Sequence, residues 1–219
     1  MTFSTTSWSD TINTATAFLS GIDPVIADAI TRIGACTLMP NPNIFKTLVD
    51  AIVSQQISVR AAESIMKRLQ AALPDSTITP EALLLLEHDE LRAVGLSTQK
   101  VRYIRDLSER VSGGLLKLEE LASLDDEEVI ASLTAVKGIG RWTAEMILIF
   151  SLGRPDVLPV GDLGFLEGVR RAYGLETRPT PGEVQLRGEA WRPYRTFATW
   201  YFWEISSTPT KERILWVAS

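Results

Sequence analysis

The chain has 219 residues, of which 45% are hydrophobic and 22% charged, and its formal net charge is −5. This composition is typical of a globular protein with a sizeable core, and the acidic balance argues mildly against a nucleic-acid partner, because such domains are usually basic. A single cysteine excludes a disulfide framework, a cysteine-based zinc site and an iron–sulfur cluster, and without a membrane-spanning stretch or a signal-like N-terminus we expect a cytoplasmic location.

Hydrophobic spacing predicts helices nearly throughout the chain and no strand. A weak helix is predicted over Thr11–Leu19 and a second over Pro24–Ile33, with proline at its first position. Asn43 can cap a third helix, in which the apolar residues from Ile44 to Val53 share one face. The pattern breaks at "SQQIS", where Ser58 can cap the next helix.

The second half of the chain continues the helical pattern. Thr79 and Thr180 each precede a proline, an arrangement that favours a helix start. The segment "SLDDEEVIASLTAV" carries its acidic residues in the first turn, where they complement the helix dipole. A last helix is predicted over Pro193–Ser206, and the sequence as a whole predicts an all-α fold of about ten helices.

Two segments share the pattern helix, glycine turn, helix. In "LRAVGLSTQKVRYIRDL" a single Gly95 indicates an ordinary corner between helices. In "LTAVKGIGRWTAEMILIF", Gly138 and Gly140 flank Ile139, which can enter the core. The backbone N–H groups that begin the following helix are then open to an anion. This pattern predicts a hairpin that binds DNA phosphates without reading sequence.

The motif "GIGRWTAE", followed by "PVGDLG" and flanked by "SQQISVRAAESI" and "WRPYRTFATWYFW", resembles the helix-hairpin-helix DNA glycosylases. The likeness runs from about Phe45 to Trp203 and is greatest to the alkylbase branch, the 3-methyladenine DNA glycosylase II (AlkA-like) group. It implies a fold like that of endonuclease III, with a DNA-binding cleft between two helical subdomains. Larger bacterial members carry an N-terminal β domain, for which this chain is too short.

The resemblance also implies where the subdomains divide. The whole chain, 1–219, is expected to form a single glycosylase unit. Residues from about 42 to 153 would form the central subdomain, with the hairpin at about 125–153. Residues 1–41 and 154–219 would form the second subdomain.

By resemblance Asp162 is the catalytic residue. A carboxylate stabilises the positive charge that develops on the sugar and can orient or deprotonate the attacking water. The alternative is that Asp162 only caps a helix. Members that also cut the strand place a lysine two residues after the second glycine, where Trp142 stands here. The resemblance therefore implies a monofunctional glycosylase of base excision repair, without AP-lyase activity.

The resemblance further implies that Trp142 and Trp203 bind the flipped base, because aromatic faces attract a cationic base. Their alternative is a place in the core, which we expect for most of the neighbouring aromatic residues. Met146 and Leu163 stand where larger members have tyrosines.

Further residues are assigned to DNA by the same resemblance. Gln56 would fill the space left by the flipped base, or else belong to an exposed polar turn. Gly138, Gly140 and Thr143 would contact the DNA backbone.

No cofactor is required by this interpretation. The resemblance implies a structural Na⁺ or K⁺ ion on the carbonyls of Thr134, Val136 and Ile139, bridging to a phosphate. The acidic residues Asp125–Glu128 are expected on the far face, with Lys137, Arg141, Arg60 and Arg154 near the DNA.

The expected partner is damaged double-stranded DNA, bound by a monomer, with no membrane partner. Two alternatives stay open at this stage. One is a glycosylase for uracil, a mismatched base or an oxidised purine, and the other is a non-catalytic DNA-binding module. The lone Cys36 and His88 could form a nucleophile pair, but a buried thiol and a surface histidine are the simpler interpretation.

Overall fold

A computed structural model, which describes residues 5–208, shows only helices as regular elements within that range. The prediction of an all-α fold is confirmed. The twelve α-helices within residues 5–208 are α1 (Thr5–Ile22), α2 (Pro24–Ile33), α3 (Ile44–Ser54), α4 (Val59–Ala72), α5 (Pro80–Leu85), α6 (His88–Ala93), α7 (Thr98–Ser112), α8 (Asp126–Thr134), α9 (Arg141–Phe150), α10 (Leu163–Ala172), α11 (Pro181–Gly188) and α12 (Arg195–Ser207). The number exceeds the ten or so expected because helices as short as α5 and α6 show little periodicity.

The helix starts follow the predicted capping residues. The Asn43 side chain accepts the Lys46 amide at 3.0 Å, and the Ser58 hydroxyl accepts the Ala61 amide at 3.3 Å. Thr79, Ser97 and Thr180 cap their helices in the same way. These caps depend on local chemistry, so the sequence was sufficient to place them. The first helix is longer than the predicted Thr11–Leu19.

The chain divides into two units. The central unit comprises Asn41–Leu152 and contains α3 to α9. Its core includes Leu48 and Ile52 of α3, both fully buried, and α3 packs against α4, α7 and α9. Helix α7 therefore lies within reach of both the turn that follows α3 and the turn between α8 and α9.

The terminal unit comprises the residues up to Pro40 together with those from Gly153 onward, and its helices are α1, α2 and α10 to α12. Helices α10 and α12 approach so closely that a Cβ built on Gly168 would lie 1.9 Å from the Phe202 carbonyl oxygen. Only glycine permits this approach. The contact fixes the middle of α10 against the backbone of α12.

Between residues 5 and 208, no helix combines the length and the apolar character that crossing a bilayer requires.

Candidate nucleic-acid interface and active site

The Gly-Ile-Gly sequence forms the turn between α8 and α9. Gly138 has a φ of +83°, and a Cβ built there would lie 2.1 Å from Cδ2 of Tyr103. Glycine is thus required both by the backbone conformation and by the ring packed against it. Ile139 is 5% exposed and its amide donates to the Val136 carbonyl at 3.2 Å. The turn is therefore closed on its inner side by apolar packing.

The outer side of the turn, where α9 begins, is open. Gly140 is the N-cap and offers no side-chain cap, and a Cβ built there would meet nothing within 4 Å. The first helical bond runs from the Ala144 amide to the Gly140 carbonyl at 3.1 Å, so the amides of residues 141–143 precede the helical ladder. Amides at a helix N-terminus bind anions such as phosphate. The Thr143 side chain is only 5% exposed, so its backbone is the part that suits such a contact, and this role stays a prediction.

The basic side chain at the start of α9 is bound to carboxylates. Arg141 donates two hydrogen bonds to Glu127, from Nη1 at 3.0 Å and from Nη2 at 2.5 Å, and a third to Glu145 from Nε at 3.2 Å. The hydrogen bond from Arg141 lowers the pKa of Glu127 and raises that of the guanidinium. The acidic residues Asp125–Glu128 were expected on the face away from the DNA, and this is wrong for Glu127. Helix α9 packs against α8, so Arg141 at the start of α9 reaches the acidic first turn of α8.

Asp106 of α7 holds the backbone of the hairpin. Its Oδ2 accepts the Lys137 amide at 2.9 Å, and the Lys137 Nζ lies 3.3 Å from its Oδ1. Partial burial by itself raises the pKa of Asp106, but the hydrogen bonds from Lys137 and Arg110 outweigh burial and lower it. An ionised Asp106 therefore fixes the residue that immediately precedes the first glycine of the turn.

Gln56 lies in the turn between α3 and α4 and is exposed. Its φ is +58°, in the left-handed region that residues with a side chain seldom occupy. The position suits a side chain that enters a DNA duplex, and this role stays a prediction.

Asp162 is the N-cap of α10. Its Oδ1 accepts the Phe165 amide at 2.6 Å and the indole N–H of Trp203 at 2.8 Å, across a separation of 41 residues. A Cβ built on Gly164 would lie 3.3 Å from Asp162 Oδ1 and 3.5 Å from Trp203 Cδ1. Asp162 therefore does cap a helix, as the alternative interpretation expects. The indole contact, which a cap does not need, holds the carboxylate in a defined orientation.

The two tryptophans assigned to base binding differ from the other aromatic residues near the C-terminus. Trp142 is 49% exposed on α9, and Trp203 of α12 is half-buried. By contrast, Trp191 and Tyr201 are fully buried and Trp200 is 8% exposed, so these three belong to the core. Trp142 and Trp203 thus retain ring surface that a ligand can contact, and their assignment to the base stays a prediction.

Helix α7 contributes two residues to the hairpin that were not predicted from the sequence. Tyr103 packs on Gly138 and Asp106 binds the Lys137 amide. Residues three apart lie on one face of a helix, so their spacing was an available signal. The targets of that face could not be read from the sequence.

The structure gives no role in chemistry to the lone cysteine. Cys36 is 6% exposed, and burial raises the pKa of its thiol to about 11, which makes it a poor nucleophile. Among the residues that the structure describes, no three His, Cys, Asp or Glu side chains lie where they could hold a metal ion together.

Two helices joined through Gly-Ile-Gly, with an N-cap glycine and backbone amides ahead of the helical ladder at the start of the second, define a protein of the helix-hairpin-helix class. Residues 49–193 match the family model described as HhH-GPD superfamily base excision DNA repair protein, and the chain belongs to this superfamily.

Two relatives carry names that refer to alkylated DNA bases. The chain is 36% identical over 195 residues to DNA-3-methyladenine glycosylase 1 of Schizosaccharomyces pombe, covering 86% of this chain and 85% of the relative. It is 32% identical to the alkylbase DNA glycosidase-like protein mag2 of the same organism, covering 85% and 90%.

Solved structures give the same result. The S. pombe 3-methyladenine DNA glycosylase Mag1 in complex with abasic DNA superposes with a TM-score of 0.79 at 35% identity, covering 89% of this chain and 97% of that one. A DNA-3-methyladenine glycosidase from Bacillus halodurans gives 0.80 at 39% identity, covering 87% and 88%. The sequence-based resemblance to the alkylbase branch is confirmed.

Proposed function

We propose that the chain is a DNA glycosylase of base excision repair that removes alkylated bases, of the 3-methyladenine type, from double-stranded DNA. The observation that carries the proposal is the Asp162 carboxylate, held by the Phe165 amide and the Trp203 indole in a chain of the HhH-GPD superfamily. The names of the relatives support the alkylated base as substrate.

Asp162 supplies the chemistry. Breaking the bond between the base and the sugar places positive charge on the sugar, and a fixed carboxylate stabilises that charge better than water that must reorganise. The same carboxylate orients or deprotonates the water that attacks the sugar. A base alkylated on a ring nitrogen is cationic and leaves readily, so the site needs no strong general acid.

Trp142 and Trp203 recognise the base. Their partly exposed rings offer negative faces to a cationic purine, and tryptophan is the best of the aromatic residues for this interaction. Selection by charge favours N-alkylated purines over normal bases, which are neutral.

The hairpin holds the DNA backbone through the amides that begin α9, in a manner independent of sequence. A monovalent cation would fit on the carbonyls of Thr134, Val136 and Ile139, because carbonyl oxygens suit hard cations. The Val136 carbonyl already accepts the Ile139 amide at 3.2 Å and keeps a second lone pair for an ion. An ion held there would add positive charge opposite a phosphate. Replacing KCl by choline chloride at constant ionic strength should weaken binding to undamaged duplex if this cation is present.

The reaction leaves an abasic site in an intact strand. A lyase step needs an amine that attacks the sugar, and the residue in the corresponding position is Trp142. The amine nearest to that position in sequence is Lys137. It precedes the first glycine, and its Nζ lies 3.3 Å from an Asp106 oxygen, so it does not occupy the position that the lyase step needs.

The direct test uses duplex DNA methylated with dimethyl sulfate, with chromatography of the released bases. We expect 3-methyladenine in the soluble fraction, and no strand breaks until the DNA is treated with hot alkali. Release of uracil from a uracil-containing duplex instead would assign a different lesion. Binding to DNA without any base release would identify a non-catalytic module and contradict the proposal.

A further inference from the structure

The turn that carries Gln56 has a backbone that normally requires glycine. Gln55 has φ −55° and ψ 127°, Gln56 has φ +58°, and the Ile57 amide lies 3.4 Å from the Ser54 carbonyl. These values describe a type II turn, in which the third residue has positive φ and is usually Gly or Asn. A glutamine in this position therefore needs support from its surroundings.

Lys100 of α7 provides support from below the turn. Its ammonium donates to the Val53 carbonyl at 2.6 Å and to the Gln55 carbonyl at 2.8 Å. The first carbonyl belongs to the last turn of α3, where helical partners are lacking, and the second precedes Gln56 directly. Burial lowers the pKa of Lys100, as expected for a cation withdrawn from water to bind backbone oxygens.

Gln55 connects the same turn to the hairpin. Its side-chain Nε2 donates to the Gly138 carbonyl at 2.8 Å, across a separation of 83 residues. Gly138 is in turn fixed by the Tyr103 ring, one helical turn after Lys100 on α7. One face of α7 therefore supports both turns, and Gln55 joins them.

We propose that Lys100 and Gln55 are positioning residues for base flipping, which hold Gln56 in a fixed place relative to the phosphate-binding hairpin. This inference rests on the proposed function, because it takes Gln56 as the side chain that fills the space left by the flipped base. A loose turn would lose conformational entropy each time Gln56 entered a duplex. A supported turn is already ordered, and its link to the phosphate-binding hairpin fixes where Gln56 lies relative to the DNA backbone.

The test compares one lesion in two settings. A strand with a single 7-methylguanine is paired as a full duplex or placed with the lesion in a short bubble, where the base is already unpaired. Base release is measured under single turnover. Flipping costs less for an unpaired base, so loss of a positioning residue should lower the rate in duplex far more than in the bubble. The ratio of the two rates does not depend on the folded fraction of a variant.

The variants are Lys100→Met, which removes both hydrogen bonds, and Lys100→Arg, which keeps a charged donor. For Lys100→Met we expect the duplex rate to fall by about ten- to a hundredfold and the bubble rate to change little, with Lys100→Arg recovering much of the loss. Gln55→Met should likewise lower the ratio of the duplex rate to the bubble rate. Lys46→Met, which removes a half-buried lysine paired with Asp50 on α3, is the matched control and should leave the ratio unchanged.

The possible results separate the two proposals. Equal loss in duplex and bubble, or no loss in either, for both Lys100→Met and Gln55→Met would overturn the positioning role while leaving the proposed function intact. Absence of release from both DNAs, together with no release of 3-methyladenine from methylated duplex by the unmodified protein, would overturn the proposed function and the positioning role with it.

Discussion

Replacing Asp162 by asparagine should separate catalysis from folding. The Asp162 Oδ1 accepts the Phe165 amide at 2.6 Å and the Trp203 indole N–H at 2.8 Å, and an asparagine carbonyl can accept both. Asparagine and aspartate are equivalent as N-caps. We therefore expect Asp162→Asn to leave the free energy of unfolding nearly unchanged. Asp162→Ala should instead lose about 1 kcal/mol for the cap and up to about 1.5–3 kcal/mol for the hydrogen bond between the charged carboxylate and the Trp203 indole.

The catalytic cost of the same change follows from the lost charge. A carboxylate about 4 Å from a unit positive charge, at an effective dielectric constant of about 20, is attracted to it by about 4 kcal/mol. Each 1.4 kcal/mol or so corresponds to a factor of about ten in rate, so the charge is worth up to about a thousandfold. The amide dipole of asparagine keeps part of this stabilisation. We expect Asp162→Asn to lower base release by at least about a hundredfold.

The assay is single-turnover release of base from a duplex with one 7-methylguanine, accompanied by thermal melting and by fluorescence anisotropy with undamaged duplex. Asp23 offers a matched control. It caps α2 in the same unit, and its Oδ2 accepts the Trp191 indole N–H at 3.1 Å. Its Oδ2 also accepts the hydroxyl of Tyr173. Both oxygens of Asp23 accept hydrogen bonds, and asparagine would put an N–H₂ group in place of one of them. Asp23→Asn should therefore lower the melting temperature but keep base release per folded molecule. Near-normal release by Asp162→Asn would refute the assignment of its carboxylate to the chemistry.

Three other predictions concern the hairpin. Gly138→Ala should lower the free energy of unfolding by more than about 1 kcal/mol, because alanine conflicts with the positive φ, whereas Gly140→Ala should melt normally. Both variants should bind damaged and undamaged duplexes more weakly, and to the same extent. A loss confined to damaged DNA in anisotropy titrations would contradict the phosphate contact. Borohydride added during base release should trap no covalent protein–DNA adduct; a strong adduct that disappears in Lys137→Met would assign a lyase activity to that amine. Glu127→Gln should release the two Nη donors of Arg141 for a phosphate, while Nε keeps its bond to Glu145, and steepen the slope of log affinity against log salt by about one; an unchanged slope would show that this guanidinium does not reach the DNA.

The features that the sequence predicted are those that local chemistry determines. The caps at Asn43 and Ser58 act on amides three residues away, and the Gly-Ile-Gly turn needs only its own glycines and one apolar residue to be recognised. Family resemblance then assigned Asp162, whose position after the hairpin has no local signature beyond that of an N-cap.

The features that could not be predicted depend on how distant helices face one another. The bond from Trp203 to Asp162 spans 41 residues and that from Gln55 to Gly138 spans 83. The pair of Arg141 with Glu127 arises because α9 packs against α8, although the acidic turn was expected elsewhere. Periodicity identifies a buried face, but it does not identify the partner of that face.

The ion pairs beside the hairpin have a consequence for how the protein surveys a genome. Lys137 and Arg141 are each paired with a carboxylate, so the hairpin presents mainly backbone dipoles to DNA. Contacts of this kind displace fewer counterions than lysine and arginine contacts do, and they hold undamaged duplex less tightly at low salt. We expect a short residence time on each stretch of normal DNA. Such brief visits suit a protein that must pass a very large number of intact bases for each lesion it finds.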